Sequence, residues 1–186
     1  MCKIFVISML DFLGSQASVK MLELFCKNPD EGFYSKEIGK ELELSKATNI
    51  KWLKKLEEQD IITETSEGRK KYYKLKLSNP LARQVRVLYT LSELIDAFQE
   101  VGDLKSAYLV GKTAQGNNPP DAPVELLILN RGDKDKIEDA LEKVSDKIGK
   151  EIDAKIMTPL KYGQLSKEKP EVHERLEREK IRLTVP

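Results

Sequence analysis

The sequence predicts an α+β protein in two parts joined by a long helix. Three observations predict it. Residues 15–59 carry apolar side chains at helical spacing, interrupted twice by turn residues. Residues 61–77 change to an alternation of period two around a glycine turn. Residues 106–156 run strand, glycine-bounded turn, strand, helix, strand, the order of a small sheet covered by helices. The expected division is residues 1–101, including an N-terminal extension and the linking helix, and residues 102–186.

Ser15 to Lys27 reads as the first helix, with Val19, Leu22 and Phe25 on one apolar face and Asn28-Pro29-Asp30 as its stop. Ser35 is the expected N-cap of a short second helix carrying Ile38 and Leu42. Ser45 is the expected N-cap of a third, reaching about Gln59, with Ala47, Ile50, Leu53 and Leu56 facing inward. Two short helices joined at Glu43-Leu44 make a helix-turn-helix arrangement. The third helix then turns Lys46, Thr48, Lys51 and Lys55 away from the core, where a recognition helix meets base edges. Asn49 sits at the border of its apolar face, suited to packing rather than reading. Trp52 fits packing or stacking on a sugar-phosphate backbone.

Ile61 to Thr65 reads as a strand, Ser66-Glu67-Gly68 as a turn, and Tyr72 to Leu77 as the returning strand. Arg69, Lys70 and Lys71 make its tip basic. A basic hairpin directly after a recognition helix is a wing, and its cations suit a phosphate backbone. Asn79-Pro80 opens the long helix, with Asn as cap and Pro at the first helical position. Its apolar face is Leu81, Val85, Leu88, Ser92, Ile95 and Gln99, widened by Leu91, Leu94 and Phe98, and Gly102-Asp103 ends it. A helix this apolar suits packing on the preceding helices and hairpin as well as a two-fold contact between copies.

Composition narrows the function classes. The chain has 186 residues, 40% apolar and 34% charged, with a net charge of +1. That excludes a general polyanion binder but leaves room for a local basic face. Cys2 and Cys26 fit neither a disulfide framework nor a metal motif, and His173 is the lone histidine, so no metal site is expected. The reducing cytoplasm is the expected compartment. Ile4 to Leu13 is too short to span a bilayer, and Asp11 interrupts it as a leader, so no membrane is expected. This segment is read as a short strand or helix that caps the core or joins a dimer. Met9 offers an alternative start to Met1.

The segments Leu10-Asp11-Phe12-Leu13-Gly14-Ser15, Phe33-Tyr34-Ser35-Lys36-Glu37-Ile38, Leu44-Ser45-Lys46-Ala47-Thr48, Leu53-Lys54-Lys55-Leu56-Glu57-Glu58 and Gly68-Arg69-Lys70-Lys71-Tyr72-Tyr73 together resemble the winged helices of the ArsR and MarR type. The resemblance covers roughly residues 10 to 100. It implies double-stranded DNA as partner, a homodimer, and a DNA-contacting set of Ser45, Lys46, Thr48, Lys51, Lys55, Arg69, Lys70 and Lys71. Asp60 departs from the family's glycine after the recognition helix, although aspartate tolerates the left-handed conformation. The metal-sensing cysteines and histidines of ArsR proteins are absent, so metal sensing is not carried over.

In the second half, Ser106 to Val110, Val124 to Leu129 and Ile152 to Ile156 read as strands and Lys134 to Ile148 as a helix; Pro170 to Lys180 reads as a charged helix and Ile181 to Val185 as a closing strand. Gly111, Ala114 and Gly116 after the first strand resemble the Gly-Ser motif of the minimal nucleotidyltransferase fold. That family holds its metal with Asp-x-Asp on the next strand. Here Lys112 stands at the serine position and Pro123-Val124-Glu125 at the Asp-x-Asp position, with Asp153 as the third acid. Asp121 lies four residues from Glu125 rather than two. The resemblance implies a degenerate nucleotide or metal site at Gly111, Lys112, Glu125 and Asp153, with no catalytic residues and no cofactor. The function expected is a transcription regulator with an inactive nucleotidyltransferase-like domain and room for a small-molecule or nucleotide effector. The alternatives are an active nucleotidyltransferase targeted by its winged helix, and a protein-interaction module.

Overall fold

The computed structural model describes residues 14–101 and 106–183. The expected Ile4–Leu13 element, Cys2, the Gly102-Asp103 stop and Val185 lie outside them. The protein is mixed α and β, with two separate sheets. It divides into two compact units, residues 1–86 and 87–186, and the division falls inside the long helix rather than after it.

The N-terminal unit begins with α1 (Gln16–Lys27). Ser15 caps it in a reciprocal box with Ser18, each side chain bonding the other's backbone N–H. The buried face is Ser18, Met21, Leu22, Leu24, Phe25 and Cys26. Val19, expected inside, is 39% exposed. The reason is geometric: positions three apart drift by about 60° per step on a helix of 3.6 residues per turn, so Val19 and Phe25 do not share a face.

A short strand, β1 (Phe33–Tyr34), leads into α2 (Ser35–Glu41). Tyr34 rather than Ser35 occupies the N-cap, without a side-chain cap bond. Glu43 takes a φ of 53° in the turn, the left-handed conformation such a turn needs. Then α3 (Lys46–Glu58) starts from Ser45, whose Oγ accepts from the Thr48 N–H at 3.1 Å. Its buried residues are Asn49, Trp52, Leu53 and Leu56. Ala47 and Ile50, expected inside, are exposed.

The hairpin is β2 (Ile62–Glu67) and β3 (Lys70–Leu75), with Glu67 opposite Lys70 and Gly68 at a φ of +62° in the turn. Only glycine adopts this conformation without cost. β1 joins the other side of β3, giving the order β1-β3-β2. Before the hairpin, Asp60 takes a φ of 60°. Its carboxylate accepts from Lys76 Nζ and Asn79 Nδ2, tying the end of α3 to the end of β3.

Asn79 Oδ1 caps α4 (Pro80–Val101) by accepting from the Leu81 N–H at 2.8 Å, as expected. Ala82, Val85, Arg86, Val87, Leu94, Ala97 and Phe98 are buried, whereas Leu88, expected on the apolar face, is 58% exposed.

The C-terminal unit is a sheet of order β6-β5-β4-β7. β4 (Ala107–Leu109) pairs antiparallel with both β5 (Val124–Leu129) and β7 (Ile181–Leu183). β5 runs parallel to β6 (Ile152–Met157), which requires the crossover helix α6 (Lys134–Ile148) between them. One face packs Leu109, Leu126, Ile128 and Leu183 with Ile137, Leu141 and Val144 of α6 and with Leu94 and Phe98 of α4. Truncating such a leucine to alanine costs about 2–5 kcal/mol.

Between β4 and β5, the glycine-bounded turn takes the form of one helical turn, α5 (Gly111–Ala114). A helix not expected from the sequence, α7 (Pro159–Glu168), precedes the expected α8 (Pro170–Glu179). Its signal was present: Thr158 caps the Lys161 N–H and Pro159 stands at the first position. These two helices cover the second face of the sheet, where Tyr162 packs with Val110 and Leu127.

Candidate functional site

Two places in the chain carry the residues singled out by sequence, one in each unit. In the N-terminal unit the outer side of α3 presents Lys46, Ala47, Ile50, Lys51 and Lys54, all exposed. Ser45 is exposed and Thr48 half-buried, and their hydroxyls lie 2.9 Å apart, so both serve the cap as well as the surface. Asn49 does pack: it is 4% exposed, and its Nδ2 donates to the Ser35 carbonyl at 2.6 Å, holding α3 against the start of α2. Its Oδ1 is buried without a hydrogen-bond partner. Trp52 is buried too, which removes the stacking role and leaves packing. The Nζ atoms of Lys51 and Lys55 lie 5.5 and 5.0 Å from its ring centroid, so both ammonium groups stand over the indole.

A groove of about 590 Å³ separates α2 from α3, lined by Tyr34, Ser35, Lys36, Gly39, Lys40, Leu44, Lys46, Asn49 and Ile50. Lys36 and Lys40 were missed by sequence reasoning. They are exposed on α2, four apart and therefore on one side of it, beside Lys46 of α3.

The three cations at the hairpin tip differ in their surroundings. Arg69 stands exposed in the turn. Lys70 Nζ sits 5.7 Å from the Tyr34 ring centroid, and Tyr34 packs on Tyr72 at 5.9 Å. Lys71 is held by Glu64 across the strands, Nζ to Oε1 at 2.8 Å. Hydrogen bonds from Lys71 and Tyr73 hold the Glu64 carboxyl below the usual glutamate value. Burial, then the bond to Glu64, pushes the Tyr73 phenol up, so it stays a neutral donor to Glu64 Oε2 at 2.8 Å.

In the C-terminal unit Gly111, Lys112, Glu125 and Asp153 do come together in part. Glu125 Oε2 accepts from the backbone N–H of Lys112 at 2.6 Å and of Thr113 at 3.3 Å. In return the Glu125 N–H donates to Thr113 Oγ1 at 3.2 Å. The carboxylate thus caps α5 and occupies the first N–H groups after Gly111. The Lys112 side chain is exposed. Glu125 and Asp153 are partners in the parallel register of β5 and β6 and so lie on one face of the sheet. Pro123, two residues before Glu125, brings no carboxylate. Among the described residues no group of three or more His, Cys, Asp or Glu side chains is placed to hold a metal ion.

Further along the same face, the Tyr162 hydroxyl donates to Glu177 Oε1 at 2.8 Å. Lys180 Nζ bonds the same carboxylate and lies 4.9 and 5.0 Å from the Tyr108 and Tyr162 ring centroids. His173 packs on Tyr162 at 5.0 Å. These partners are mutually satisfied, and they pin α8 and β7 to the sheet. Among the described residues no helix is long and apolar enough to cross a membrane.

No known protein-family model matches the chain. No curated protein matches it significantly.

Proposed function

We propose that this protein is a DNA-binding transcription regulator of the cytoplasm, with a winged helix-turn-helix in its N-terminal unit and a nucleotidyltransferase-like fold without transfer activity in its C-terminal unit. In this reading α3 is the recognition helix, β2–β3 is the wing, and the functional form is a homodimer. The observation that carries it is the outer face of α3, where Lys46, Lys51 and Lys54 are exposed together, followed directly by a hairpin with Arg69 and Lys70 at its tip. A net charge of +1 over the whole chain makes that local concentration of cations more telling. Phosphate contacts of this kind supply sequence-independent affinity, while α3 supplies selection.

Support for the second half of the reading is the strand order and the Gly111–Glu125 contact. The carboxylate at the position of the family's paired aspartates is engaged by backbone N–H groups, and its neighbour two residues back is Pro123. A second reading, an active nucleotidyltransferase, draws on the adjacency of Glu125 and Asp153.

The test is retention of genomic DNA fragments by the purified protein, followed by sequencing. A shared motif among retained fragments supports a regulator. Retention abolished by alanine at Arg69, Lys70 and Lys71 together supports the wing. No retention at low salt overturns the DNA reading.

A further inference from the structure

The DNA reading rests on cations, but the middle of the α3 outer face is apolar. Ala47, Ile50, Lys51 and Lys54 follow the spacing i, i+3, i+4, i+7, which places them in one stripe on the helix. Ile50 is 51% exposed, and Ala47 is exposed beside it. Lys46 stands one residue before this pair and Lys51 one residue after it. Position 50 therefore lies between cations on the face that would enter a groove.

A single exposed isoleucine on a protein surface is ordinary. Its setting here is what narrows its partner. An aliphatic side chain offers nothing to a phosphate oxygen and makes no hydrogen bond to a base edge. The major groove of DNA displays one apolar group, the 5-methyl of thymine. Ile50 lies in the first half of α3, the part of a recognition helix that meets base edges. It is held there firmly: Asn49 is bonded to Ser35, and Leu53 is 1% exposed in the core.

We infer that Ile50, with Ala47 beside it, selects thymine by packing on its 5-methyl group, while Lys46 and Lys51 hold the flanking phosphates. This deepens the DNA-binding reading and rests on it. It adds an apolar contact to base selection, beside the Thr48 hydroxyl that α3 shares between its cap and its surface.

The experiment uses the full chain and one duplex, the retained genomic fragment of highest occupancy, made with either thymine or uracil. Uracil keeps every hydrogen-bonding group and lacks only the methyl. Wild type is expected to bind the uracil duplex more weakly by roughly fourfold for each methyl contacted, the factor that corresponds to burying one carbon. Ile50→Ala is expected to weaken binding to the thymine duplex and to shrink the thymine–uracil difference to the part that Ala47 supplies. Uracil also alters duplex stiffness, but an effect of that origin would persist undiminished in Ile50→Ala, so an undiminished difference overturns the assignment. Equal binding of both duplexes by wild type overturns it as well, with the DNA reading intact. If no genomic fragment is retained in the first place, the DNA reading and this inference are overturned together.

Discussion

The Glu125 carboxylate stands where a side chain on Gly111 would have to go. A Cβ built on Gly111 would fall well inside contact distance of both carboxylate oxygens. The same glycine has a φ of +61°, so a side chain there would strain the backbone and push the Glu125 carboxylate aside. The glycine that resembles part of a nucleotidyltransferase motif thus has an internal reason to stand here: it lets β5 cap the turn after β4.

Gly111→Ala is therefore expected to destabilise the C-terminal unit. The left-handed conformation alone costs about 1–2 kcal/mol, and the displaced Glu125 bonds add to it. Glu125→Gln, which keeps an acceptor oxygen, should cost less. Thermal unfolding of the two variants would decide; equal transitions would contradict the capping account.

The C-terminal unit is expected not to transfer nucleotides. Magnesium needs near-ideal octahedral oxygen geometry, and Pro123 supplies no ligand while Glu125 is engaged by Lys112 and Thr113. Incubation with labelled nucleoside triphosphates, magnesium or manganese, and candidate acceptors is the measurement. Metal-dependent labelling that disappears in Glu125→Gln would establish an enzyme instead. Binding without turnover would identify a nucleotide sensor.

If the proposed DNA reading holds, Glu64 restrains the β2–β3 hairpin. It neutralises Lys71, so Glu64→Gln should raise DNA affinity and steepen its salt dependence, by up to about 0.9 in the logarithmic slope for one added phosphate contact. The same bond sets a pH effect. The folded Glu64 lies below the ordinary value of 4.5, held there first by Lys71 and then by Tyr73. Its contribution to stability is present above the unfolded value and is lost as pH falls through the lower folded one. Acid unfolding of Glu64→Gln should therefore lack that component below pH 4.5, and an unchanged acid limb would refute it.

Asp60 combines a φ of 60° with bonds to Lys76 and Asn79. Asp60→Ala keeps the strained backbone and loses the side-chain bonds, with an expected loss of about 1 kcal/mol or more. Asp60→Gly relieves the backbone and should fall between the two in melting temperature. A glycine variant less stable than the alanine variant would show that the backbone conformation costs nothing here.

The homodimer proposed above is expected to depend on α4, where Leu88 is 58% exposed. Leu88→Glu should lower the association state without unfolding the chain. Light scattering that gives a monomer for wild type at micromolar concentration, with and without DNA, would remove the dimer from the reading.

Local chemistry was legible in the sequence because its determinants are neighbours in the chain. Ser45 and Asn79 cap the helices that follow them, although Ser35 yields that place to Tyr34; Gly68 makes the hairpin turn, and Asp60 takes the left-handed conformation. The run 134–148 is a helix to the residue. Helix faces were less legible. Ala47, Ile50, Leu53 and Leu56 look like one inner row, yet nine residues at about 100° each carry Ala47 half a turn away from Leu56. Which end of such a row is buried depends on where α1 and α2 lie, and that is a tertiary matter. Packing placed Asn49 and Trp52 inside and put Ile50 in solvent. The pairing of Gly111 with Glu125 has the same origin. The two residues stand on separate elements, and only the register of β4 against β5 brings the carboxylate to the N–H groups of the turn.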